Sequence, residues 1–259
     1  MAGMEIVLIV VIALLGMAIG SFLNVVIDRL PAGESIVFPA SHCPACHRQL
    51  MAIELIPVIS YLALRGRCRA CHAGIPPRVL IVEIATGAAF ALLAWHFGAA
   101  DVDFAIAAFY FCLFEALAMI DLERHILPNV IVYPAAGFAL AASIFIHGGT
   151  IVPGVLDAAT GGLIGLGPFF LIAIVSRGGM GWGDVKMAAL VGLVTGFPLV
   201  FVAILVAVVS GGLIAWLLII FKVRSRKETI PFGPFLSLAA MATILWGQAM
   251  LDWYLGFLR

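Results

Sequence analysis

Two sets of residues in this chain have the types and spacing to do chemistry. The first is a pair of aspartates. Asp121 ends an apolar run in "AMIDLERHILPN", and Asp184 opens another in "SRGGMGWGDVKM". A carboxylate at a bilayer boundary is costly and is a functional candidate by default. The two lie 63 residues apart, at what the pattern of spans predicts to be the same depth and side. Two carboxylates that share a site do not both ionise; one keeps its proton while the other stays charged. That is the equipment for aspartyl proteolysis. The charged member takes a proton from water, and the neutral member donates to the peptide carbonyl. Gly178, Gly179, Gly181 and Gly183 precede Asp184. Having no Cβ, they let an extended substrate backbone approach it. The plainer alternative is that both acids only cap or flank helices, and an acid at a helix start suits the dipole.

The second set is four cysteines in "CPACH" and "CRACH": Cys43, Cys46, Cys68 and Cys71, two C-x-x-C pairs separated by 21 residues. Each pair can grip one tetrahedral metal, and four thiolates close a structural zinc site. Two disulfides are a rival reading that a reducing compartment disfavours. Histidine follows each pair (His47 and His72), which also spells the c-type haem pattern twice. A di-haem membrane cytochrome is therefore an alternative, and it needs this loop on the outer face.

These groups must be held by membrane-spanning helices. The chain is 64% hydrophobic and 11% charged, against about 25% charged in a soluble domain. The composition predicts an all-α polytopic membrane protein. Eight apolar segments approach spanning length: 4–27, 79–98, 102–120, 130–147, 153–176, 185–198, 199–221 and 233–256. The sixth is the shortest, ending at Pro198. The first has no basic n-region, too long an apolar run and Arg29 after it, so it is not a cleavable signal. Net charge is zero, and no nucleic-acid partner is expected; the partner in view is the lipid bilayer.

Alternation with the N-terminus outside puts every lysine and arginine except Arg259 on one side. That side holds six arginines of the 28–78 loop, then Arg124, Arg177, Lys186 and the basic cluster at 222–227. Basic loops stay in the cytoplasm. The predicted organisation is thus a first helix at 1–27, a cytoplasmic four-cysteine loop at 28–78 and a seven-helix membrane domain at 79–259. The loop is too small for an ordinary core, and a metal would supply the missing folding energy. The inward-facing loop also argues against haem.

"GMGWGD" (179–184) contains the G-x-G-D signature of intramembrane aspartyl proteases. With it, in order, stand "GSFLNVVIDRLP" (20–31), the paired cysteines, "IELIPVISYLALRGRCRAC" (53–71), "DLERHILP" (121–128) and "PFGPFLSLAA" (231–240). Together they closely resemble the bacterial type IV prepilin peptidases. The resemblance covers essentially the whole chain. It implies cleavage of the basic leader of prepilins and pseudopilins at the cytoplasmic face of the inner membrane, with Asp121 and Asp184 as the catalytic pair. It also implies N-methylation of the new N-terminus with S-adenosylmethionine, and zinc on the four cysteines. Asn129 stands where many members carry aspartate. No strand–glycine-loop–helix unit for S-adenosylmethionine is present; Asn24, Glu54 and Glu83 are the candidates near the loop. Each also has a bland reading: an interhelical donor, a solvated charge and an arginine partner. A proton-coupled transporter using Asp121 and Asp184 is the remaining alternative, but it does not call for the cysteine loop.

Of the other polar residues, Glu115 is expected to hydrogen-bond inside the bundle, His125 to sit in a loop, and Lys186 to pair with a carboxylate or reach lipid phosphates. Cys112 reads as a packing residue. The G-x-x-x-G pairs Gly16/Gly20, Gly161/Gly165 and Gly192/Gly196 suit close helix packing, within one chain or between two.

Overall fold

A computed structural model describes residues 2–146, 150–176, 179–221 and 230–257. Gly178, Arg177, Arg259 and the basic cluster at 222–227 lie outside the described residues. Among the described residues the chain is helical, with short 3-10 turns, two isolated bridges and no strand. The helices are α1 (Ala2–Arg29), the short α2 (Ile59–Ala63), α3 (Pro77–Phe97), α4 (Val102–Arg124), α5 (Asn129–Phe145), α6 (Val155–Val175), α7 (Trp182–Thr195), α8 (Leu199–Ile220) and α9 (Gly233–Phe257).

Each of the eight apolar segments is a helix. Six (α1, α3, α4, α6, α8 and α9) are long and apolar enough to cross a membrane, whereas α5 and α7 are shorter. Large apolar side chains such as Leu205, Val209 and Leu213 on α8 stand more than half exposed, as a lipid-facing surface requires. By contrast α7 is buried over most of its length: Val185, Met187, Ala188, Leu190, Val191, Gly192, Val194 and Thr195 are all interior. At 14 residues it is roughly 21 Å long, short of the ~30 Å hydrocarbon core. Protein rather than lipid surrounds it.

The chain divides into two compact units, Met1–Ala116 and Leu117–Arg259. In the first, α1 packs along α3. Gly16 and Gly20 allow it: a Cβ on Gly16 would stand 2.7 Å from the Phe90 Cβ, and one on Gly20 2.7 Å from the Thr86 hydroxyl oxygen. Asn24 on α1 donates to the Val79 carbonyl at 3.1 Å, and Arg78 at the start of α3 reaches Asp28 at 2.8 Å. The first small-residue pair thus works within the chain. Thr86 also meets Glu115 at 2.9 Å, so Glu115 does hydrogen-bond inside its unit.

In the second unit α7 is the hub. It packs against α5, α6, α8 and α9, most extensively α6. Gly161 of α6 and Gly192 of α7 meet backbone to backbone; a Cβ on either would overlap the other's carbonyl. Gly165 presses on the Ala188 backbone in the same way. At the far end Gly196 stops α7 with φ +68°, a conformation glycine adopts without strain. Phe197 then donates to the Asp157 carbonyl at 2.9 Å.

Candidate active site and metal centre

Asp121 lies in the last turns of α4 and Asp184 in the first turn of α7. Both belong to the second unit. Asp121 is 5% exposed and Asp184 partly buried. They are near enough for the charge of Asp121 to act on Asp184. The two helix ends therefore bring together two carboxylates distant in sequence.

Glycine backbone stands close to both carboxylates. The N–H of Gly233, the first residue of α9, donates to Asp121 Oδ2 at 2.9 Å. A Cβ at Gly233 would stand 2.5 Å from that oxygen. Only glycine lets the chain pass so close. Beside Asp184 the Gly181 carbonyl accepts the Asp184 N–H at 3.1 Å. A Cβ on Gly181 would lie 3.2 Å from Asp184 Oδ2. Gly183 faces Leu127, and Gly179 lies over Ser176. His125 ends α4 at φ +54°, with its N–H on the Asp121 carbonyl at 2.9 Å. Among the described residues Lys186 pairs with no carboxylate. It donates to Asn129 Oδ1 at 2.8 Å and sits over the Tyr133 ring. Asn129 thereby ties the start of α5 to the first turns of α7.

The four cysteines of the 28–78 loop converge. Their sulfurs all lie within 4.8 Å of one another, and Cys43 and Cys71 are 3.7 Å apart. A tetrahedral zinc with Zn–S bonds near 2.3 Å needs sulfurs about 3.8 Å apart, so the set fits the metal. The two pairs are built alike. His47 donates to the Cys43 carbonyl at 2.9 Å, and His72 to the Cys68 carbonyl at 3.0 Å. Both histidines have positive φ, 55° and 57°. They are the turn residues of two knuckles. All four thiols meet at one point, whereas a di-haem protein needs each pair facing its own porphyrin.

Backbone N–H groups of Cys71 and Ala70 hold the Cys68 thiol down, to about 6. Those of Cys46 and Ala45 lower Cys43. For Cys71 the Ala73 backbone acts the same way, but desolvation and the neighbouring thiols outweigh it and push the group up to about 11. Arg48 approaches the Cys68 sulfur and also binds Glu54 at 2.6 Å. Glu54, with a side chain 4% exposed, also caps its own turn through the Met51 N–H at 2.9 Å. Arg48 holds its carboxyl below the usual range, and the Met51 N–H adds to that. Glu54 is thus an enclosed partner of the cysteine cluster, not a solvated charge. Glu83, 4% exposed, accepts the Val58 N–H at 2.7 Å.

The fold and the site together define a polytopic membrane protein built around a pair of carboxylates, with a four-thiol loop beside them in sequence. The chain belongs to the type IV leader peptidase family. Its residues 14–97 match the bacterial peptidase A24 N-terminal domain, and residues 107–216 match the type IV leader peptidase family itself. It is similar to a prepilin leader peptidase/N-methyltransferase of Stutzerimonas stutzeri, 34% identical over 95% of this chain and 93% of that protein. It is also similar to those of Pseudomonas aeruginosa (32%, over 94% and 92%) and Bacillus subtilis (28%, over 95% and 97%). No solved structure matches it.

Two contributors to the site went unassigned in the sequence. Gly233 sits in "PFGPFLSLAA", a stretch that gives the resemblance but no chemistry, because its contribution is a backbone N–H. Arg48 was one of six loop arginines with nothing local to single it out.

Proposed function

We propose that this chain removes the leader peptide of prepilins and pseudopilins and then N-methylates the new N-terminal residue. The observation that carries the first half is the pair Asp121 and Asp184, two carboxylates from different helices within electrostatic reach of each other, with Asp121 fixed by the Gly233 N–H. In this reading the charged member takes a proton from the attacking water, and the neutral member donates to the scissile carbonyl. The pair needs no covalent intermediate. Gly179, Gly181 and Gly183 supply a wall without side chains along which an extended substrate can lie. Gly233 is a positioning residue, because it acts through Asp121.

The second half rests on relatives named prepilin leader peptidase/N-methyltransferase along almost their whole length. S-adenosylmethionine is the methyl donor that this reading implies. Zinc on Cys43, Cys46, Cys68 and Cys71 is structural: four protein ligands leave no open position for chemistry. The same reading divides the chain into a first helix (1–27), a zinc loop (28–78) and the membrane domain with the dyad (79–259). It places the protein in the bacterial cytoplasmic membrane, N-terminus outside and dyad at the cytoplasmic face. The support is the segregation of lysine and arginine.

The test is to incubate the purified protein with a prepilin and S-adenosylmethionine and weigh the products. The expected product is a mature pilin, shortened by its leader and heavier by one methyl group. An intact substrate would overturn the peptidase reading, and a shortened but unmethylated one the methyltransferase reading.

A further inference from the structure

Between its two cysteine pairs the loop has a stretch, 51–67, with two sides. Leu55, Ser60, Tyr61 and Leu64 turn inward and line a cavity of the first unit. Ile53, Ile56, Ile59 and Leu62 do not line it; they are 64%, 41%, 63% and 60% exposed. Ile53 and Ile56 are three residues apart across the 3-10 turn Ala52–Leu55, and Ile59 and Leu62 three apart on α2. Each pair therefore shares a side. Arg65 follows at the same spacing and is exposed, as is Arg67. Neither pairs with a carboxylate among the described residues.

Large aliphatic side chains turned outward this densely belong to a surface that something covers. The attachments of the loop say what. It leaves α1 at Arg29 and enters α3 at Pro77, two helices long and apolar enough to span a membrane. Arg78 and Asp28, at 2.8 Å, tie these two helix ends together. The loop is thus tethered to the bilayer surface at both ends. A tethered segment has already lost most of the freedom that binding otherwise costs, so a few aliphatic side chains suffice to hold it down. The same four fall well short of the roughly 20–30 residues a side in a stable protein–protein interface. Guanidiniums beside an apolar stripe fit the border between acyl chains and lipid phosphates. There the stem stays in apolar surroundings while the head meets an anion.

We propose that the stretch 51–67 is a membrane-surface element. Ile53, Ile56, Ile59 and Leu62 lie among the outermost acyl carbons of the bilayer, and Arg65 and Arg67 bind the phosphates of anionic lipids. The four-cysteine loop then rests on the membrane instead of standing away from it, and how firmly it does so depends on lipid charge.

The experiment uses the full-length protein in vesicles of phosphatidylcholine, with and without phosphatidylglycerol. Each preparation contains a phospholipid bearing a photoreactive diazirine near the top of one acyl chain. Illumination, proteolysis and mass spectrometry map the lipid adducts, which needs no variant. Adducts should fall on the peptide covering 51–64 as well as on the spanning helices, and phosphatidylglycerol should raise those on 51–64 several-fold. Ile53→Asn combined with Ile59→Asn should lose the adducts on 51–64 at an unchanged thermal midpoint. Arg65→Gln combined with Arg67→Gln should remove the response to phosphatidylglycerol. Labelled spanning helices with no adduct on 51–64 would overturn the proposal and leave the stripe to a second copy or another protein. Adducts that survive the asparagine substitutions would also overturn it, because the stripe would not be making the contact. Equal labelling of 51–64 in both lipid mixtures would overturn the role given to the two arginines.

Discussion

The backbone N–H of Gly233 donates to Oδ2 of Asp121 at 2.9 Å, across 112 residues of chain. One acid of the candidate dyad is thus oriented by the first residue of the last helix. A methyl group at Gly233 would stand 2.5 Å from the carboxylate oxygen. Either Asp121 or the start of α9 must then move. Gly233→Ala should lower the rate of leader cleavage by about tenfold or more, equivalent to ~1.4 kcal/mol. Thermal unfolding and zinc content should change little. Cleavage at the parent rate would show that the contact does not position the acid.

The Gly161–Gly192 contact supports the other acid, because it sets how α7 lies on α6. Gly192→Val forces a branched side chain into the Gly161 backbone. Overpacking of this sort costs about 1–3 kcal/mol. A lower thermal midpoint in detergent is the expected result, and an unchanged midpoint would contradict it.

Much of this architecture is legible in the residues. Eight apolar runs gave eight helices, and paired C-x-x-C spacing gave four converging sulfurs. Alternation of spans puts Asp121 and Asp184 at one expected depth and side, a reason to look for them together. What the spacing does not encode is contact through backbone or through enclosure. Gly233 has no side chain to mark its role. Glu54 reads as a surface charge until the loop folds Arg48 over it. Asn24 reads as an ordinary interhelical donor until its second atom is seen to lack a partner. The lengths of α5 and α7 are likewise tertiary facts, since a helix enclosed by protein need not match the bilayer.

Zinc should bind at about one ion per chain. Replacing Cys68 and Cys71 with serine should remove it and make the 28–78 loop susceptible to proteolysis. Closed four-thiolate sites contribute folding energy outright. Elemental analysis of protein purified with reductant and without chelator is the check. A metal-free parent protein would refute the site.

The two proposed reactions make different demands. Proteolysis needs the dyad, whereas methyl transfer needs a neutral amine held in line with the sulfonium methyl group. Asp121→Asn and Asp184→Asn should therefore still methylate a pilin supplied without its leader. Transfer from labelled S-adenosylmethionine measures this. Loss of transfer in both folded variants would show that the reactions share the dyad.

The most direct test is the rate of leader cleavage by purified Asp121→Asn and Asp184→Asn protein, each shown to be inserted, folded and zinc-loaded like the parent. Asparagine preserves shape and hydrogen bonding but neither takes the proton from water nor carries one to the carbonyl. A dyad in which both acids act predicts that each variant loses roughly 10²–10⁴-fold in rate. Cleavage by either variant within a few-fold of the parent would contradict it.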